Sequence, residues 1–451
     1  MTRDRHPRFV TLQPRLLRAI AAGLCVTLPV TLASSADAKP QRGHKIHGHA
    51  PAKPKAARAK IAHRPVAKAA RVRLTAKLPA DVLDTADVKP APPVKQLSRE
   101  EILSSNTDRL ERLGRHVMVG FQSFSEVELL VKKRAIAGIF ITTHNVHGQR
   151  AADIKASIDK LQALRKDQGL PPLVIAADQE GGNVSRLSPP LKRQPTLALT
   201  IAKLTHDDDR QRAVTAYATT QAEELKRVGV TLNFAPVVDL KLNAADRDDG
   251  ETRIRMRAIA DDPYLVSKVG TWYCDALAKA GILCTLKHFP GLGRVLRDTH
   301  VASGEISETE GKLELNDWVP FRRLMQMPNA ATMLGHVRVG AIDKNVPASY
   351  SQTVIAGLIR DRWQYDGLLI TDDFCMGAIT GSKSGIGGAA VKSLNAGTDV
   401  ILVSFAGSHY DDVMSALIAA DETGALDARV RDASRARLTR ILDPSSWNRA
   451  E

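Results

Sequence analysis

Side chains able to do chemistry collect in three short stretches of this sequence. The first is Asp178-Gln179-Glu180-Gly181-Gly182, with Arg186 close behind. The second runs Lys287-His288-Phe289-Pro290-Gly291 and continues to Asp298-Thr299-His300. The third is Thr371-Asp372-Asp373. Carboxylates, imidazoles, a lysine and an arginine are the groups on which nucleophilic and general acid/base catalysis draws. Asp298 and His300 stand two apart. In extended chain such residues point the same way, so the carboxylate can hold the imidazole in one tautomer. Each stretch alone has a plainer explanation. Gly181-Gly182 could be a simple turn, Asp372-Asp373 a helix cap, and Asp298 with His300 a surface pair. Their joint placement is what carries weight, and it depends on the elements that hold them.

Eight short apolar runs supply those elements: 117–121, 137–142, 173–178, 232–237, 284–289, 330–337, 366–372 and 399–404. Each is nearly continuously apolar, as strands covered on both faces are. Helix-forming segments separate them. Ser125 and Glu128 read as a capping box, and residues 209–228 as a helix stopped by Gly229. Asp262-Pro263 reads as an N-cap followed by proline in the first turn, and residues 426–443 as one closing helix. Eight β–α units in one run predict the α/β class, a (β/α)8 TIM-type barrel over residues 98–451. The three stretches then fall at the C-terminal ends of strands three, five and seven, the rim where such barrels build their sites. Charges there cost desolvation unless they are used or paired. His336, at the end of strand six, reads as a satisfied core histidine.

The 451-residue chain is 43% apolar and 25% charged, with a net charge of +15. Residues 1–97 carry 19 Lys/Arg against 5 Asp/Glu, whereas the remainder is nearly neutral, 45 against 44. The basic character thus belongs to the N-terminus, which argues against a nucleic-acid-coating domain. No run of 18 apolar residues occurs, which excludes a multi-span membrane protein. Residues 1–38 read as a signal peptide. Arginines precede the apolar stretch 19–33, and Ala36-Asp37-Ala38 fits the cleavage pattern. The expectation is an exported protein, periplasmic or secreted. Residues 39–97 are rich in Ala, Lys and Pro, lack aromatic residues and any hydrophobic period, and read as a disordered basic linker. Such a segment is either a spacer or a contact for anionic cell-wall polymer or membrane. Cys274, Cys284 and Cys375 are expected as buried free thiols, with a Cys274–Cys284 bridge as the alternative. No spacing suits a metal, no cofactor is expected, and a monomer is expected.

As motifs, DQEGGNVSR at 178–186, KHFPGLGRVLRDTH at 287–300 and ITDDFCMGA at 370–378 resemble bacterial β-N-acetylglucosaminidases of glycoside hydrolase family 3. Asn233-Phe234-Ala235-Pro236 and Pro347-Ala348-Ser349 fit the same pattern, and the resemblance spans about residues 110–405. It implies a single-barrel enzyme with Asp372 as nucleophile, His300 as general acid/base and Asp298 as the acid that orients it. Asp178, Arg186, Lys287, His288 and, in RAIADDP, Arg257 match sugar-binding positions. The implied activity is a retaining exo-β-N-acetylglucosaminidase. It would remove terminal β-linked N-acetylglucosamine from peptidoglycan fragments or related oligosaccharides, through a glycosyl-enzyme on Asp372. The chemistry agrees with this. Glycoside cleavage needs an anion on one face of the ring and a proton donor on the other, and an imidazole held by a carboxylate can replace the usual acid. With 19 aromatic residues in all, a pocket for a terminal sugar is expected rather than a long stacking groove. Two segments depart from the family: Leu292 stands where PGHG would have histidine, and RAIA replaces RSFG. Alternatives are a non-catalytic glycan-binding barrel and a phosphorylase or β-glucosidase variant of the same fold. Glu180 is the next carboxyl to consider as the acid.

Overall fold

The computed structural model describes residues 95–242, 250, 252–404 and 407–447. Within it eight parallel strands close into a barrel: β1 (Val117–Val119), β2 (Gly138–Ile141), β3 (Val174–Ala177), β4 (Leu232–Asn233), β5 (Leu283–Phe289), β6 (Ala330–Leu334), β7 (Leu369–Asp373) and β8 (Val400–Val403). Neighbours follow chain order throughout, and β8 returns to β1 with Ile401 opposite Val117. All eight predicted strands are present. The run 232–237 yields the shortest, because Pro236 has no N–H to give a neighbour. The chain rejoins the sheet one residue later, where Val237 bridges Lys287.

Alternation along the strands sorts the core into two shells. Val117, Val119, Ile139, Ile141 and Ile175 face the surrounding helices. Met118, Phe140, Val174, Leu232, Phe234, Met333 and Leu402 fill the barrel interior. Each such side chain, fully buried, contributes roughly 1.5–3 kcal/mol. The closing helix is Ala428–Ile441. Its Leu438 and Ile441, with Trp447 beyond, join the interior shell and seal it. Near them Asp399, wholly buried, accepts from Arg437 at 2.8 Å and Arg360 at 2.9 Å.

The helix Asp207–Arg227 ends just before Gly229, and Pro263–Lys279 starts on an Asp262 cap, both as expected. The expected Ser125–Glu128 capping box is not formed; the helix is capped two residues earlier, by Ser123, without a closed box. Ser123 accepts from the Glu126 N–H, and Gln122 N–H donates to the Glu126 carboxylate. Glu128 instead pairs with Lys132 and Lys160. The expectation of three buried free thiols is also corrected. Cys274 and Cys284 form a disulfide, and Cys375 is half-buried outside it. Cys274 is on the helix face that packs on β5, and the short return places the two Cα atoms 5.5 Å apart, inside the bridging range. The expected signal peptide lies outside the described residues, as does the basic linker except for 95–97. There Leu97 packs against the core and its N–H donates to Ser415. No helix among the described residues is long and apolar enough to cross a membrane.

Candidate active site

A hairpin follows β3, pairing Gln179–Gly181 with Val184–Ser185. Gly181 makes it possible: its φ is +102°, and a Cβ there would lie 2.3 Å from the Pro195 carbonyl oxygen. The glycine pair is therefore a turn, and the turn tucks Glu180 into the rim, 8% exposed. Lys287 comes from β5 and is 1% exposed. A buried ammonium is tolerated only when paired. Lys287 has two carboxylates, Asp178 and Glu180, each at 2.6 Å. Arg257 ends the short helix Ile254–Arg257 and forks onto Glu180 at 2.6 and 2.9 Å. Its remaining N–H groups reach the Thr252 carbonyl at 2.8 Å and His288 Nε2 at 3.3 Å. Burial works to raise the Glu180 pKa, but Arg257 and Lys287 outweigh it and hold the group below the usual carboxylate range. With both its oxygens on those two cations, Glu180 is poorly suited to serve as the alternative acid.

The second imidazole of the rim is fixed from behind. Asp239, wholly buried in the loop after β4, accepts from His288 Nδ1 at 2.7 Å and from the Leu292 N–H at 2.7 Å. Arg257 can only donate, so in the neutral ring His288 Nε2 accepts and Nδ1 carries the hydrogen, while the protonated ring bears the charge that Asp372 faces. Leu292 is buried and gives the cavity an apolar wall at its departure from the PGHG pattern.

At the end of β7 the two adjacent carboxylates differ. Asp373 accepts from Cys375 N–H at 3.0 Å, from Ser404 N–H at 2.8 Å and from the Ser404 hydroxyl. Asp372 accepts from the Asp373 N–H at 2.9 Å and faces the cavity. Burial alone would raise its pKa. The imidazoles of His288 and His336, the Asp373 N–H and Lys287 together outweigh burial and hold it below the usual carboxylate range. His336 is the core histidine expected: Ser349 and the Asp373 carbonyl satisfy its two nitrogens at 2.8 and 2.9 Å. Burial pushes its pKa down.

Asp298 and His300 meet as their spacing suggests. His300 Nδ1 lies 2.8 Å from Asp298 Oδ1, and the His300 N–H donates to the same oxygen at 2.9 Å. The His300 carbonyl accepts from the Gly377 N–H at 2.8 Å, which ties this loop to the segment after β7. A cavity of about 340 Å³ opens among these groups. Asp178, Arg186, Arg257, Lys287, His288, His300 and Asp372 all line it. Asp298 stands behind His300. Phe140, Phe234, Met333 and Leu402, the top of the barrel interior, give the cavity an apolar floor. Sequence reasoning missed Asp239 and Thr252, and missed Glu180 as the bridge between two cations. Asp239 lies two residues beyond the strand-four run, a rim position that its neighbours in sequence did not mark.

A carboxylate held as an anion and a carboxylate-backed imidazole on one small cavity suit cleavage of an acetal, the work of a glycoside hydrolase. Comparison with known proteins agrees. Residues 109–441 match the family model described as the glycosyl hydrolase family 3 N terminal domain, and the chain belongs to that family. It is similar to a β-hexosaminidase of Idiomarina loihiensis, 32% identical over 289 residues that make up 63% of this chain and 82% of that one. To a β-hexosaminidase of Xanthomonas euvesicatoria it is 35% identical over 271 residues, 60% of this chain and 76% of the other. Among solved structures it resembles a family 3 β-N-acetylglucosaminidase from Paenibacillus, with TM-score 0.69 and 29% identity. That match covers 76% of this chain and 63%, under two thirds, of the other. A family 3 member from Mycobacterium smegmatis gives TM-score 0.65 at 29% identity, covering 75% of this chain and 98% of that one.

Proposed function

We propose that this chain is a retaining exo-β-N-acetylglucosaminidase that acts on cell-wall fragments through a glycosyl-enzyme on Asp372. The observation that carries the proposal is the placement of Asp372 and the Asp298–His300 pair on one cavity. In the first step the Asp372 carboxylate attacks the anomeric carbon. The C1–O bond breaks as His300 Nε2 passes its proton to the departing oxygen. In the second step neutral His300 takes a proton from water, the water oxygen bonds to C1, and Asp372 leaves as carboxylate. Lys287, Asp178, Arg257, Arg186 and His288 hold the sugar hydroxyls and N-acetyl group. The cavity is near the lower end of the ~300–1,000 Å³ range of ligand pockets, which suits one terminal sugar. The names of the relatives support the N-acetylhexosaminide class. The Cys274–Cys284 bridge supports an oxidising, exported location.

The test is a trapping experiment with a 5-fluoro N-acetylglucosaminide bearing a good leaving group. Mass spectrometry should find the label on the peptide containing Asp372, and Asp372→Ala should stay folded and lose several orders of magnitude in turnover. A label on any other peptide refutes the assignment. Product analysis with purified muropeptides, with and without phosphate, then decides both the substrate and the acceptor.

A further inference from the structure

We infer that Thr252 is a positioning residue for the acid/base pair, setting His300 through Asp298. The inference rests on the proposed role of that pair. The Thr252 hydroxyl donates to Asp298 Oδ1 at 2.7 Å. That oxygen also accepts the His300 N–H at 2.9 Å and lies 2.8 Å from its Nδ1. Three donors converging on one carboxylate oxygen leave the carboxylate little freedom to rotate. The other oxygen is confined as well. Gly250 has φ +40°, and a Cβ there would lie 2.4 Å from Asp298 Oδ2, so the chain passes directly against it.

His300 needs this support more than a core histidine would. Its ring is about half exposed, at 47%, on a loop of its own, whereas Asp298 is 12% exposed and Thr252 3%. The buried threonine is thus the anchor, Asp298 the link and His300 the exposed end. Thr252 is fixed in turn by its carbonyl, which accepts from Arg257 Nη1 at 2.8 Å. Arg257 is forked onto Glu180, and Glu180 holds Lys287. One polar chain therefore runs from the cations of the sugar cradle to the imidazole.

The experiment compares Thr252→Val, which keeps the shape and removes the hydroxyl, with Thr252→Ser, which restores it. Both are assayed on a dinitrophenyl N-acetylglucosaminide and on a methyl or disaccharide N-acetylglucosaminide, beside His300→Ala. A poor leaving group needs the proton and an activated phenolate does not. Thr252→Val should lose about tenfold in kcat/KM, which reports the bond-breaking first step, on the poor leaving group, as expected for one hydrogen bond to a charged group. It should lose less than about twofold in kcat/KM on the dinitrophenyl substrate, whose kcat is set by the second step and also falls. Thr252→Ser should recover most of the loss. Equal losses on both substrates, no loss at all, or no rescue by serine overturns the inference. If His300→Ala itself shows no dependence on leaving group, the acid/base reading is what fails. The positional claim is then judged by NMR alone. The ¹⁵N signals of the His300 ring should shift in Thr252→Val, and unchanged signals overturn it.

Discussion

His116 stands just before β1, 1% exposed, at the sealed end of the barrel. Its Nδ1 lies 2.9 Å from the Asp399 carbonyl, so Nδ1 carries a hydrogen, and Nε2 has no hydrogen-bond partner among the described residues. Protonating Nε2 would place a charge in a dry site beside Arg115 and Arg431. Burial is the largest cause, and it lowers the pKa to about 4 against only partial compensation from Asp399. The unfolded chain takes that proton near the ordinary value of about 6.5. Between these two values the unfolded state binds more protons, so stability falls as pH falls. At roughly 1.4 kcal/mol per pH unit, the loss from pH 7 to pH 4 amounts to about 3 kcal/mol from this one residue. Urea unfolding followed across pH 4–7 measures it. His116→Asn keeps a donor close to the Nδ1 position and cannot titrate. It should be less stable at pH 7, yet its curve should be flatter than wild type by about the same 3 kcal/mol. Parallel curves for the two proteins would refute the reasoning, because every other titrating group is common to both.

Two further outcomes are expected. Replacing Cys274 and Cys284 by serine removes a cross-link spanning ten residues. It should lower stability by about 3 kcal/mol in urea while leaving KM within about twofold; an unchanged midpoint contradicts the bridge. Deleting residues 39–94 should leave kcat/KM on a small aryl substrate within about twofold. Loss of that activity with an intact circular dichroism spectrum would contradict a spacer role.

Strand positions were legible because a strand covered on both faces must be apolar nearly throughout, and 137–142 or 399–404 reads no other way. The rim was legible for the same reason: once the strands are placed, whatever polar residue ends one of them faces the mouth of the barrel. Asp372, Lys287 and Asp178 needed nothing more. Arg257 depended on the family resemblance, because it reaches the rim from a one-turn helix that follows no strand directly. Asp239 and Thr252 were invisible. Asp239 meets His288 across 49 residues and Thr252 meets Asp298 across 46, and neither partner leaves a mark on the local sequence. The misplaced N-cap has a different cause. Ser123 and Ser125 both offer a capping hydroxyl, and the helix that buries Val127, Leu130 and Val131 starts from the earlier one. The disulfide was undecidable for want of a distance, which only the packing of helix on strand supplies.

The cradle itself has a property that its separate contacts do not suggest. Asp178, Lys287, Glu180 and Arg257 follow one another with alternating sign, each in contact with the next. Such a string is a multipole, and its potential dies away within a few ångströms, far faster than that of a lone ion. These four groups therefore cancel one another at a distance. The field that reaches the mouth of the pocket is left to the charges outside the string, Arg186 and Asp372 among them, while the four themselves act on a sugar only through hydrogen bonds at contact.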